Sequence, residues 1–272
     1  MNQNNNDRQL KVAVISLDIV RCSPDENIAA VGRAMAMLDT DIDLVVLPEL
    51  FTTGYTAEQE VLDTLAQRNG GRHIRTITML AERYHTAIAG SFLARTGQKI
   101  YNRAFFVEPS GDETFYDKHH LFSLSSESKL LAAGKGKMPV IRYRGWNITM
   151  MVCYDLRFPV WSRNRDNAYD LLLVPANWPD KRVYAWKHLL IARAIENQAC
   201  VVGANRSGVD DYGTYTDSSY IFDAMGQSVG EKLSRRSAPA PILVAGLSLS
   251  EIQEARRRMP AAVDADPFNL VD

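Results

Sequence analysis

The chain has 272 residues, 46% hydrophobic and 23% charged, with a formal net charge of −1. That is the profile of a globular protein, and it lacks the excess positive charge a nucleic-acid partner requires. Three cysteines, Cys22, Cys153 and Cys200, with no CxxC pair, argue against a disulfide framework and for a reducing compartment, the cytoplasm.

Residues 1–10 begin MNQNNNDRQ, without the apolar core of a signal peptide, and read as a disordered tail; residues 11–272 read as one domain. No apolar run approaches the ~18 residues of a membrane span. Residues 11–17, KVAVISL, predict a buried strand. Ser23-Pro24 opens a helix over 25–38 with Ile28, Val31, Met35 and Leu38 on one face. A short strand over 44–47 stops at Pro48, and a helix covers 73–84. Strands follow over 86–92, 101–108 and 114–118, separated by turn signals at Thr96-Gly97 and Pro109-Ser110-Gly111. Strands over 140–143 and 147–152 flank Gly145 as a hairpin, and a helix is expected from Pro159. A strand over 171–174, a helix over 182–197 and strands over 200–204, 219–222 and 241–246 come next, the loop-like 234–240 lying inside a hairpin. Ser250 caps a last helix over 251–259, whose Arg256-Arg257-Arg258 run reads as a solvated face. Strands and helices mix throughout, which predicts an α/β fold with two mixed sheets covered by helices.

Three places carry chemistry. Glu49 follows a buried strand and Pro48, and strand carboxyl ends are where α/β proteins build sites. Lys118 ends a strand among aromatics, either as a surface charge or desolvated and paired with a carboxylate. Cys153 closes the apolar run 148–152, where a thiol is either a small core residue or a nucleophile projecting from a strand end, although G-x-S-x-G is absent. A free thiol has a pKa of about 8.5, so a catalytic cysteine needs a base or a nearby positive charge. The adjacent pair His119-His120 has no obvious third ligand for a metal, and Gly134-Lys135-Gly136-Lys137 lacks the spacing of a phosphate loop.

Glu49 in LPELF, Lys118 in YDKHHLF and Cys153 in VCYDLRFP, with AGS at 89–91, YN at 101–102, ANWP at 176–179 and ARAIENQ at 192–198, resemble the nitrilase superfamily of carbon–nitrogen hydrolases over residues 11–268. The resemblance implies a four-layer α-β-β-α sandwich, a homodimer, and a catalytic Glu49–Lys118–Cys153 triad. A second glutamate maps onto Glu127 in SSESKLLAAG, where Ala133 stands in place of the usual proline before the glycine. The VCYDLRFPVWSRN stretch looks most like the ω-amidase branch, which acts on 2-oxoglutaramate and 2-oxosuccinamate; true nitrilases carry Trp where this chain has Tyr154.

Under that resemblance Glu49 takes the thiol proton, Cys153 attacks the amide carbon, and Lys118 with the Tyr154 N–H receives the oxyanion. Water then releases the acid from a thioester, with no metal or organic cofactor. Arg157 is the candidate for the substrate carboxylate, with a structural salt bridge to Asp155 as the alternative. Tyr55, Phe122 and Trp178 are candidate pocket walls. Rival readings are an amidase or carbamoylase with another small amide, a Cys153–His119 or Cys153–His120 pair, and a silent binding protein on the same fold.

Overall fold

The computed structural model describes residues 8–233 and 240–270. Two sheets face each other. The first has the order β13-β14-β1-β2-β3-β4-β5, formed by β1 (Gln9–Ile15), β2 (Leu44–Val46), β3 (Ala87–Thr96), β4 (Lys99–Val107), β5 (Glu113–Asp117), β13 (Glu231–Lys232) and β14 (Ile242–Ser248). The second has the order β12-β9-β8-β7-β6, formed by β6 (Ile141–Tyr143), β7 (Trp146–Met150), β8 (Leu171–Ala176), β9 (Cys200–Asn205) and β12 (Tyr220–Phe222). A small hairpin, β10 (Gly208–Asp210) with β11 (Gly213–Tyr215), stands apart. Within each sheet the central strands run parallel, β1 with β2 and β3, and β7 with β8 and β9.

Strand periodicity explains the layers. Val12 and Val14 of β1, Leu44 and Val46 of β2, Ala87 and Ala89 of β3, and Ala104 and Phe106 of β4 all join the core shared with the second sheet. Their alternate neighbours Ala13, Ile15, Val45, Ile88, Phe105 and Val107 pack instead with α1 (Pro24–Met35) and α3 (Arg72–Tyr84). Successive side chains leave a strand on opposite faces, so a strand buried on both sides reads as an unbroken apolar run. Beyond the second sheet lies α5 (Val183–Asn197), which packs Trp186 and Leu190 over Gly203 of β9, and α6 (Leu249–Arg258) buries Leu249 and Ile252. The result is the expected four-layer α-β-β-α sandwich. Two short helices, α2 (Gln59–Leu65) and α4 (Glu127–Leu130), sit at the strand carboxyl ends, where Leu62 and Leu131 pack beneath the loops.

Several expectations need correction. β1 starts at Gln9, so residues 9 and 10 belong to the sheet rather than to a tail. No helix begins at Pro159: a single 3₁₀ turn, Cys153–Arg157, is followed by turns. There Asn164 spends its side chain on the Tyr169 backbone and the Asn197 carbonyl, a local alternative that competes with helix formation. The last helix is capped by Ser248, whose Oγ accepts from the Glu251 N–H, because β14 runs straight into it. Arg256 is not on a solvated face; it reaches inward to Asp170 at 2.8 Å and to the Tyr169 and Gln198 carbonyls. The expected loop at 234–240 lies almost wholly outside the described residues. The Gly145 hairpin is present, with Arg144 and Gly145 both at positive φ, 48° and 83°, as a two-residue turn of matching twist requires.

Gly134 closes over the end of β5: its N–H donates to the Lys118 carbonyl, and a Cβ there would run into the Asp117 carbonyl oxygen. Gly134→Ala should therefore cost about 2–3 kcal/mol, the scale of an overpacked core site, and lower catalytic turnover by displacing Lys118. Urea unfolding measures the first effect. An unchanged midpoint would show that the strand end yields freely.

Candidate active site

Each central residue comes from the carboxyl end of a different strand. Glu49 follows β2, with its N–H against the Ala176 carbonyl, and Leu50 after it turns the chain at φ 47°. Lys118 follows β5, and Cys153 stands three residues beyond β7. Cys153 itself has φ 44°, the left-handed region a non-glycine residue rarely adopts, and it begins the 3₁₀ turn Cys153–Arg157. This is the strand–nucleophile–helix geometry of an elbow without its usual glycines. Asp155, fully buried, holds the bend: its Oδ2 accepts from the Val152 N–H at 3.1 Å and from the Tyr116 hydroxyl at 3.0 Å. Its Oδ1 accepts from the His120 N–H at 2.7 Å.

Lys118, Glu49 and Glu127 form one buried ionic group, exposed by only 2%, 5% and 3%. Lys118 Nζ donates to Glu49 Oε1 at 2.9 Å and to both oxygens of Glu127 at 2.8 and 2.9 Å. Asn102 Nδ2 donates to Glu49 Oε1 at 2.8 Å and to Glu127 Oε1 at 3.3 Å. The backbone N–H groups of Asn177 and Phe122 supply Glu49 Oε2 and Glu127 Oε2 at 2.9 and 2.8 Å. Burial pulls the Lys118 pKa down, but Glu127 and then Glu49 outweigh it and hold the ammonium well above its usual range. Burial pushes the Cys153 thiol well up, and the negative charge of Glu49 pushes further, against the pull of Lys118. The resting cysteine is therefore a thiol, and Glu49 is the acceptor within its reach.

These groups open into one cavity of about 290 Å³. The triad, Glu127 and the candidate wall residues all line it: Glu49, Lys118, Glu127 and Cys153, with Tyr154, Arg157, Tyr55, Phe122 and Trp178. Trp178 is also core, its ring tilted against Trp186 with centroids 5.3 Å apart. Arg157 does not pair with Asp155. Its guanidinium lies 4.9 Å from the Trp178 ring centroid, and no carboxylate among the described residues binds it. Neither His119 nor His120 lines the cavity: His119 stacks on Trp161 and meets the Gly134 carbonyl, and His120 stacks on Phe158 and binds Asp155. The Cys–His alternative thus has no geometric basis. Tyr154, second in its 3₁₀ turn, has no intrahelical partner for its N–H.

The sequence reading left Asn102 and Ser91 inside quoted motifs without a role. Ser91 Oγ accepts from the Leu50 N–H at 2.8 Å and donates to Asn102 Oδ1 at 2.9 Å, which turns the Asn102 amide hydrogens toward the two carboxylates. A polar residue inside an otherwise apolar strand is the signal that could have found each of them. Tyr212 and Tyr215, which complete the mouth, lie beside or in a hairpin that the sequence did not reveal.

The carbon–nitrogen hydrolase family profile matches residues 11–257. The Escherichia coli K12 protein named omega-amidase YafV is 39% identical over 262 residues, covering 96% of this chain and 98% of that one. The chain belongs to the carbon–nitrogen hydrolase family. A protein named 2-oxoglutaramate amidase from Bacillus subtilis is 32% identical over 256 residues, 93% of this chain and 96% of that one. The crystal structure of a CN-hydrolase superfamily protein from Xanthomonas campestris, with an arsenic adduct in its active site, superposes with a TM-score of 0.89 at 36% identity, covering 97% and 99% of the two chains. As a member of this family the protein is a hydrolase of carbon–nitrogen bonds in amides.

The protonation states make a prediction. Cys153 and Lys118 both hold their protons more tightly folded than unfolded. Their contribution to stability is complete below about pH 8.5, the unfolded thiol's value, and is lost as pH rises beyond it. Cys153→Ala removes the thiol's share, so between about pH 8.5 and 10 the variant should lose stability less steeply than wild type. Parallel urea midpoints across that range would mean that the folded thiol ionises freely.

Proposed function

We propose that the protein hydrolyses the terminal amide of a small 2-oxo acid amide, 2-oxoglutaramate or 2-oxosuccinamate, to the dicarboxylate and ammonia through a cysteine thioester. The observation that carries this reading is Cys153 in one cavity with the buried Lys118–Glu49–Glu127 ionic group. In the first half-reaction Glu49 takes the thiol proton as sulfur attacks the amide carbon. The carbonyl oxygen becomes an oxyanion beside the Tyr154 N–H and the Lys118 ammonium. The C–N bond then breaks, the proton passes from Glu49 to the departing nitrogen, and ammonia leaves a thioester. Water, giving a proton to Glu49, attacks that thioester; the acid departs and the thiolate recovers its proton from Glu49. Glu127 fixes Lys118 between the two carboxylates and keeps it charged throughout.

The substrate class rests on the names of the relatives and on Arg157. A 2-oxo acid amide carries a carboxylate at its far end, and Arg157 is a pocket cation, braced on Trp178, with no acid of its own. Tyr55 and Phe122 supply apolar walls for the methylenes between the two ends.

The reading includes a cytoplasmic, single-domain homodimer. Free Cys22, Cys153 and Cys200 support a reducing compartment. Tyr184 and Ile195, 76% and 52% exposed, lie about three turns apart on one face of α5 and support contact with a second copy. Sedimentation velocity should give twice the chain mass; a monomer would remove this part of the reading.

The decisive assay is ammonia release from 2-oxoglutaramate. Wild type should release it and Cys153→Ala should not. Arg157→Met should raise KM for the keto-acid amide by about 10–100-fold, the weight of a charge-assisted bond, with little change for a neutral amide. Release by Cys153→Ala would refute the nucleophile. Silence from wild type would move the substrate to another amide or a carbamoyl compound.

A further inference from the structure

Arg182, at the start of α5, lines the same cavity as Cys153 and Arg157. Its backbone is fixed at both ends of the residue. The N–H donates to the Pro179 carbonyl at 2.9 Å, and the carbonyl accepts from Trp178 Nε1 at 2.9 Å. The side chain is exposed, and its guanidinium carbon sits 5.4 Å from the centroid of the Phe122 ring, itself a wall of the cavity. The charged end of Arg182, and not only its stem, therefore stands at the cavity. No hydrogen bond or ion pair among the described residues takes up that guanidinium. The nearest acid in the sequence, Asp180, is spent on the N–H and hydroxyl of Thr216. Arg157 repeats the arrangement on the Trp178 ring at 4.9 Å.

The charges around the cavity do not balance. Its lining holds three cations, Lys118, Arg157 and Arg182, against two carboxylates, Glu49 and Glu127. Lys118 pairs with both carboxylates, so the surplus lies on the two arginines. A cleft with a surplus of one sign concentrates ions of the other and speeds their arrival. A guanidinium braced on an aromatic face is held in orientation while its N–H edge stays free for a carboxylate. We propose that Arg182 is a second specificity-determining cation, which draws the carboxylate of the incoming amide into the cavity toward Arg157 and so favours anionic amides over neutral ones. This rests on the proposed function and extends its carboxylate recognition from one arginine to two. Arg182 is the more exposed of the pair, so its share is the capture of the anion more than its final seat.

The test measures kcat and KM for 2-oxoglutaramate and for valeramide, a neutral amide of the same chain length, in wild type, Arg182→Gln and Arg182→Lys. Glutamine removes the charge and keeps a polar chain; lysine keeps the charge and loses the planar fork. Arg182→Gln should raise KM for 2-oxoglutaramate by about 3–10-fold, with the effect in KM rather than kcat, and should lower the preference for 2-oxoglutaramate over valeramide. Arg182→Lys should restore most of that loss. Salt gives a readout that needs no neutral substrate. Between about 0.01 and about 0.3 M NaCl, wild-type kcat/KM for 2-oxoglutaramate should fall, and Arg182→Gln should flatten the fall, because screening removes what the charge supplied. An arginine that merely packs on Phe122 would instead lower the melting temperature, depress both amides alike and leave the salt slope unchanged, and that outcome overturns the inference. So does an unchanged KM in Arg182→Gln. Either result sinks the role of Arg182 while leaving the amidase reading intact. Wild type inactive on 2-oxoglutaramate would sink both.

Discussion

One ammonium held between two carboxylates, almost without water, sets the terms for the rest of this protein. Taking three charges out of solvent is costly unless each lone pair and proton finds a partner. Here each carboxylate oxygen does: Lys118 and Asn102 serve the Oε1 atoms of Glu49 and Glu127, the Asn177 N–H serves one Oε2, and the Phe122 N–H with Lys118 serves the other. Those partners come from both sheets. Lys118 and Asn102 belong to the first sheet and its strand ends, while Asn177 extends β8 of the second. The ionic group is therefore complete only when the sheets pack, and the apolar core between them is what brings the chemistry together.

Cys153 depends on the same packing in a different way. Cys153 occupies a left-handed backbone conformation that a cysteine does not favour alone. Asp155 holds it there by binding the Val152 N–H before the bend and the Tyr116 hydroxyl and His120 N–H from outside it. Trp161 donates to Tyr116 and stacks on His119, and Phe158 stacks on His120, so the bend is braced by aromatic packing. The thiol is thus rigidly placed but protonated. In the proposed reaction the neighbouring carboxylate, rather than a preformed thiolate, supplies its reactivity. A protonated cysteine is also less exposed to adventitious oxidation, which follows thiolate character.

The residues lining the cavity differ in exposure. The ionic group, Cys153 and Trp178 are buried, while Arg157 and Tyr55 are half-buried and Tyr212 is exposed. Tyr212 meets Tyr55 edge-on at 4.6 Å, and Arg21 ties the two loops by pairing with Glu58 and Asp211. The mouth is built from segments far apart in the chain and joined by side chains.

The sequence determined the layered α/β fold, because β1 to β4 are apolar on both faces and that pattern survives in the primary structure as runs such as KVAVI and LVVL. It also determined Glu49, Lys118 and Cys153 as candidates, since each stands where an apolar strand meets reactive residue types. It misplaced elements where side-chain bonds override local propensity, as Asn164 does after the elbow and Ser248 does at the last helix. Only the tertiary structure decided which charge meets which. Arg157 was as compatible with Asp155 as with open space until Val152, Tyr116 and His120 claimed that carboxylate. The same holds for Asn177, just past the end of β8, and Asn102, inside β4. The Asn102 side chain is saturated and that of Asn177 is orphaned, because hydrogen bonding depends on atoms from distant segments lying within about 3 Å at the right angle, a relation that one-dimensional spacing does not encode.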